Sequence, residues 1–165
     1  MRGAWRWLIL LAILTVTGCA ATAPTFNEVS AHLPPVPPGA ARIFVYRGFE
    51  PYQSLSFVPV FFNGGQVGAV GPGKVIMRDV PAPGSYTIAA KSQGLWPNQN
   101  KTVLVQPGQT VYAQIQSFRG LNPTANRPVP QTTFVVVLQD TVTGRRQIGD
   151  LWYEAQRQKG PAASG

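Results

Sequence analysis

The side chains best equipped for chemistry are few: one cysteine, Cys19, one histidine, His32, and six carboxylates, Glu28, Glu50, Asp79, Asp140, Asp150 and Glu154. A thiol can be alkylated, an imidazole can move protons or bind metal, and paired carboxylates can act as acid and base, but each role needs partners at the right spacing. His32 stands in a proline-rich stretch with no His-Cys or His-carboxylate cluster around it, and no Ser, His and acid set falls where a folded core could position it. Only Asp150 and Glu154 share a helical spacing, which reads more simply as a solvated polar edge. Asn63-Gly64-Gly65 and Gly71-Pro72-Gly73 are not phosphate loops, because neither is followed by a helix carrying a Lys. The chain is therefore predicted to be no enzyme and to use no metal or cofactor, which leaves the thiol.

Cys19 closes the run Val16-Thr17-Gly18-Cys19, behind a basic lead with Arg2 and Arg6 and the apolar stretch Leu8 to Val16. That is the three-part form of an export signal, and its core is about half of the ~20 apolar residues a spanning helix needs. The run resembles the bacterial lipobox, with Val16 in the place usually held by Leu. The resemblance implies cleavage before Cys19 and a covalent diacylglycerol and N-acyl chain on its sulfur and amine. A single cysteine makes no internal disulfide, and acylation removes an otherwise loose thiol from an oxidising compartment. Ala20, in place of Asp, points to an outer-membrane anchor facing the periplasm of a Gram-negative bacterium.

The expected organisation is a signal peptide over 1–18, a lipidated proline-rich tether over 19–40, a folded domain over 41–157 and a disordered tail over 158–165. Pro24, Pro34, Pro35, Pro37 and Pro38 favour an extended path for the tether, with a reach of roughly 60 Å at ~3.1 Å per residue. Loss of Arg2 and Arg6 lowers the formal charge from +8 to +6. Apart from Arg145-Arg146 the basic residues are scattered singly, as on a solvated surface, and no nucleic-acid partner is expected.

From Ala41 onward, Gly and Pro turns recur every eight to twelve residues between short runs rich in Val, Ile, Phe and Tyr. This predicts a single all-β antiparallel sandwich of seven to eight strands with a short C-terminal helix. Arg42 to Arg47 is apolar on both alternating faces, as in a central strand. Phe57 to Phe62 contains Pro59, which places it at an edge or beside a bulge, and Asn63-Gly64 turns it back onto Gln66 to Val70 as a hairpin. Lys74 to Val80 and Ser85 to Ser92 are further strands, and Lys101 to Gln106 is expected to pair through Pro107-Gly108 with Thr110 to Phe118. A loop over Arg119 to Gln131 leads to the buried strand Thr132 to Gln139. Ile148, Leu151, Trp152 and Ala155 share one helical face, and Trp152 is expected to pack on the sheet.

The blocks Ala41 to Arg47, Pro59 to Gly68, Val80 to Thr87 and Val105 to Tyr112 resemble the bacterial lipoprotein family catalogued as domain of unknown function 2846, over roughly Ala41 to Leu151. Their turn-plus-strand signatures are shared with PEGA and carboxypeptidase regulatory-like modules. The resemblance implies a small β-sandwich and brings no catalytic residues.

Two functions are consistent with these residues. One is a lipid-anchored, non-catalytic module presenting loops or a sheet edge to an envelope protein or the cell wall, with Trp96, Arg119 and Arg127 as candidate contacts, since aromatic and Arg side chains in loops are common interface anchors. For Trp96 the simpler reading is packing of its own loop against the sandwich. The alternative is a periplasmic binder of a small ligand or glycan, which calls for a deep pocket with convergent polar groups.

Overall fold

A computed structural model describes residues 23–49, 55–92, 99–121 and 130–153. Among these residues lie nine strands: β1 (Ala40–Arg47), β2 (Val58–Phe62), β3 (Gly65–Val70), β4 (Lys74–Pro81), β5 (Gly84–Ala90), β6 (Asn100–Val105), β7 (Thr110–Leu121), β8 (Pro130–Gln139) and β9 (Trp152–Tyr153). Two short helices accompany them, α1 (Phe26–Ser30) and α2 (Thr141–Ile148). The strands form a five-stranded sheet in the order β8-β7-β1-β4-β9 and a four-stranded sheet in the order β3-β2-β5-β6. The all-β sandwich is thus the fold. Its larger sheet is mixed, because β1 pairs with β7, and β4 with β9, in parallel.

The alternation of side chains along β1 explains its place at the centre. Ala41, Ile43 and Val45 point between the sheets, where they meet Val58, Val60, Ile76, Ile88, Val105, Ile115 and Val136, all essentially inaccessible. Phe44 and Tyr46 point to the other side, into a second cluster with Phe26, Val75, Tyr112, Ile148 and Leu151. A strand apolar on both faces needs both covered: the four-stranded sheet covers one and the helices cover the other. Each buried aliphatic or aromatic side chain contributes about 1.5–3 kcal/mol relative to exposure.

The charges bounding β1 are buried as well, against the expectation of a solvated basic surface. The Arg42 guanidinium donates to both oxygens of Asp79, at 2.7 and 2.8 Å, and to the Pro34 carbonyl at 2.8 Å. That pairing raises the arginine's pKa above its ordinary value. Arg47 is fully buried, donates to the Ser56 carbonyl at 2.8 Å and lies 5.0 Å from the Phe134 ring centroid. Position 47 is inward-facing at the end of the sandwich, so its long stem completes the core there.

The β2–β3 hairpin forms as expected. Asn63 (φ 48°) and Gly64 (φ 84°) both take positive φ, and the Asn63 amide bridges to β5 by accepting from the Thr87 N–H at 2.8 Å and donating to the Ser85 carbonyl at 3.1 Å. Pro59 does not make β2 an edge, since β2 lies between β3 and β5; the irregularity appears as a register shift between Val60 and Phe61.

Three expectations fail for identifiable reasons. β6 and β7 do not form a hairpin: β6 pairs with β5, whereas β7 crosses to the other sheet. The Pro107-Gly108 turn is held there by Gly108 N–H donating to the Ala40 carbonyl and Arg42 N–H to the Gln109 carbonyl. A crossing lets Val103 and Val105 face the core from one sheet and Val111, Ala113 and Ile115 from the other, and alternation alone cannot distinguish this from a hairpin. The expected Arg119 to Gln131 loop is shorter, because β7 and β8 stay paired to Leu121 opposite Pro130. The C-terminal helix lies earlier than expected: Asp140 caps it by accepting from the Val142 and Thr143 amides, both at 3.0 Å, and it ends at Ile148 before Gly149. Trp152 N–H then donates to the Gly73 carbonyl at 2.8 Å, so Trp152 sits on a strand and not on a helical face with Ile148 and Leu151.

Candidate functional site

The segment expected to be a free tether is, from Pro24 onward, part of the folded body. Glu28 accepts from the Thr25 amide at 2.6 Å and its hydroxyl at 2.9 Å, which closes the first turn of α1 and lowers the Glu28 pKa. Phe26 then inserts beneath the turn, 6 % exposed, with its ring edge-on to Phe44 at 5.1 Å and 6.3 Å from Tyr153. Its backbone is fastened too: Phe26 N–H donates to the Leu151 carbonyl at 2.7 Å, Asn27 N–H to Gly149 at 3.0 Å, and Tyr153 N–H to Pro24 at 2.9 Å. Thr25 forms a β-bridge with Trp152, so the docked segment covers the outer side of β9.

α2 packs against the same region. Its Gly144 lies so close to Tyr112 that a Cβ there would fall 2.3–2.4 Å from the base of that side chain, which is why the position carries no side chain. The Tyr46 hydroxyl meets Gln147 Oε1 at 2.5 Å from below, and burial raises the pKa of both Tyr46 and Tyr112. Outward, α2 presents Val142, 77 % exposed, with exposed Arg145 and Arg146.

These elements enclose two adjoining hollows. An open cleft of about 640 Å³ is lined by Asn27, Thr141, Val142, Arg145, Arg146, Gly149 and Asp150. Beyond Asp150, a more apolar hollow of about 260 Å³ is lined by Phe49, Gly73, Asp150, Leu151 and Trp152. A Cβ on Gly73 would sit 3.7 Å from Phe49 and 3.8 Å from the Trp152 ring, so this turn is the floor between the two aromatics. Phe57 packs on neighbouring Gly71, and the Lys74 ammonium lies 4.9 Å from its ring centroid. Phe49, Phe57 and Trp152 are respectively 65 %, 56 % and 45 % exposed. Large apolar side chains are thus exposed together around the Gly71–Gly73 turn, with the Lys74 ammonium beside them.

Of the residues singled out in the sequence, Cys19, Trp96 and Arg127 lie outside the described residues. Arg119 is on β7, opposite Thr132, instead of in a loop. His32 follows α1 in a turn, its N–H donating to the Val29 carbonyl at 2.9 Å. Asp150 borders both hollows, and Glu154 lies outside the described residues. The aromatic end was missed because Phe57 reads as the first residue of a strand and Phe49 stands alone after Gly48; the Gly71-Pro72-Gly73 turn that gathers them was the available signal. Among the described residues, no group of three His, Cys, Asp or Glu side chains is arranged to hold a metal ion, and no helix is long and apolar enough to cross a membrane. No family profile, curated protein or solved structure matches the chain.

Proposed function

We propose that this protein is a lipid-anchored, non-catalytic module of the Gram-negative outer membrane, fastened through acyl chains on Cys19 and acting from the periplasmic face as a structural or protein-interaction unit. The observation that carries the reading is the apolar leader ending in Val16-Thr17-Gly18-Cys19, only six residues before the docked Thr25. Two or three acyl chains give stable anchoring at ~0.8 kcal/mol per buried methylene. The polar groups buried in the domain support a scaffold role, because they are used structurally: Arg42 and Asp79 pair with each other, and Arg47 fills the end of the core. The space between the sheets is occupied by side chains, and the cleft beside α2 is open to solvent, which favours a surface partner over an engulfed small ligand or glycan.

Intact-mass analysis of the protein from its native membrane tests the anchor. The expected product begins at Cys19, carries the diacylglycerol and N-acyl mass, and stays with the membrane pellet. Cys19→Ser is expected to abolish both cleavage and retention. A native chain starting at another residue, or one with an unmodified thiol that washes free, refutes the proposal.

A further inference from the structure

We propose that the aromatic end of the sandwich, Phe49, Phe57 and Trp152, is a membrane-contact face that seats the domain on the bilayer in which it is anchored. This rests on the acylation of Cys19 put forward above. The argument is one of reach. A free tether from Cys19 to Ala40 would let the body stand off by roughly 60 Å at ~3.1 Å per residue. Docking of Pro24 to Asn27 removes most of that length. Six residue steps separate Cys19 from Thr25, so at no more than ~3.6 Å each the acylated residue lies within about 20 Å of the strand that carries Trp152. A hydrocarbon core with its headgroups is therefore brought near the end of the molecule where Phe49, Phe57 and Trp152 are exposed.

The chemistry of the face fits that neighbour. Trp settles at the boundary between acyl chains and headgroups, where its aromatic body and its polar N–H are both satisfied, and Phe buries its wholly apolar ring on the acyl side of that boundary. Basic groups border the face, with Lys74 beside Phe57 and the Arg145–Arg146 cleft sharing Asp150 with the Trp152 hollow. Neither Arg145 nor Arg146 makes an ion pair among the described residues, which leaves them to meet lipid phosphates. Asp150 is the one carboxylate on this rim among the described residues and lies between the two hollows.

The test uses the purified, full-length acylated protein with Trp96→Phe, which leaves Trp152 as the only Trp once the leader is removed. It is reconstituted into vesicles of phosphatidylethanolamine and phosphatidylglycerol with or without brominated acyl chains, and the intact mass is recorded on the same sample. With the acyl mass present, Trp152 emission is expected to shift to the blue and lose about half its intensity in brominated vesicles. Unquenched Trp152 on an acylated chain overturns this inference and leaves the anchor standing; a chain without acyl mass overturns both. Should Trp96→Phe not fold, a benzophenone side chain introduced at position 152 of the otherwise unaltered protein gives a second reading in native membranes. Crosslinks to phospholipid support the proposal, and crosslinks confined to protein overturn it.

Discussion

Phe26→Ala probes the contact on which the geometry of the whole molecule depends. The ring is nearly inaccessible and packs on Phe44 and Tyr153, so its removal costs ~3 kcal/mol, at the low end for a buried Phe because the site borders solvent. That loss falls on the docked segment first, since the sandwich core between the sheets does not include Phe26. The amides of Phe26 and Asn27, which donate to Leu151 and Gly149, report it directly. At 1.4 kcal/mol per factor of ten, their hydrogen exchange is expected to accelerate by about 100-fold, while amides of β1 and β7 change little. If Cys19 is acylated as proposed, the freed chain from Cys19 to Ala40 would regain its reach of roughly 60 Å at ~3.1 Å per residue, and the body would leave the surface. Exchange at residues 26 and 27 within about three-fold of wild type would show that the ring does not hold the segment. Equal acceleration throughout the core would show that the segment is no separate unit.

Gly144→Ala sets a gain of about 1 kcal/mol in helix propensity against a Cβ placed 2.4 Å from Tyr112 Cβ; the steric term wins, and melting is expected roughly ten degrees lower. Asp79→Ala leaves the Arg42 charge buried with one carbonyl partner and is expected to cost about 3 kcal/mol by urea denaturation, more than an exposed pair could lose. Asn63→Ala removes both amide bonds to β5 and puts a Cβ-only side chain at φ 48°, for an expected loss of about 2 kcal/mol in the same assay. The Asp140 carboxyl is held below its usual range by hydrogen bonds from Thr143 and then Val142. Its contribution is therefore full above the ordinary carboxylate range near pH ~4 and is lost as pH falls through the lowered value. Melting of Asp140→Asn followed across that range is expected to show a smaller acid-side decline than wild type; an identical decline would remove Asp140 from the account.

Strands β1 to β8 were legible because each is a short β-branched or aromatic run bounded by turn residues, and Asn63-Gly64 named its own hairpin; β9 was not, since Trp152 reads as part of a helical face. Which strands pair was not, because Lys101 to Gln106 and Thr110 to Phe118 alternate equally well as arms of one sheet or as a crossing between two. The α2 helix was hidden by composition: Thr141-Val142-Thr143-Gly144 reads as strand or loop, and only the Asp140 cap with burial of Ile148 makes it helical. The proline-rich stretch misled in the same way. Prolines at 34, 35, 37 and 38 argue for extension, yet one aromatic at position 26 and three backbone hydrogen bonds are enough to dock the residues before them. The aromatic end became visible only in three dimensions, where Gly71 and Gly73 bring together side chains from three separate parts of the chain, Phe49, Phe57 and Trp152.

The bridge between Thr25 and Trp152 joins stretches made more than 120 residues apart. The ring of Phe26, which meets Phe44 soon after it is synthesised, consequently waits with its seat half built until Trp152 and Tyr153 have arrived. If the sulfur at position 19 is acylated promptly, the mooring is set before the vessel is built, and any chaperone serving this chain has to shelter residue 26 for the full time taken to deliver residue 153.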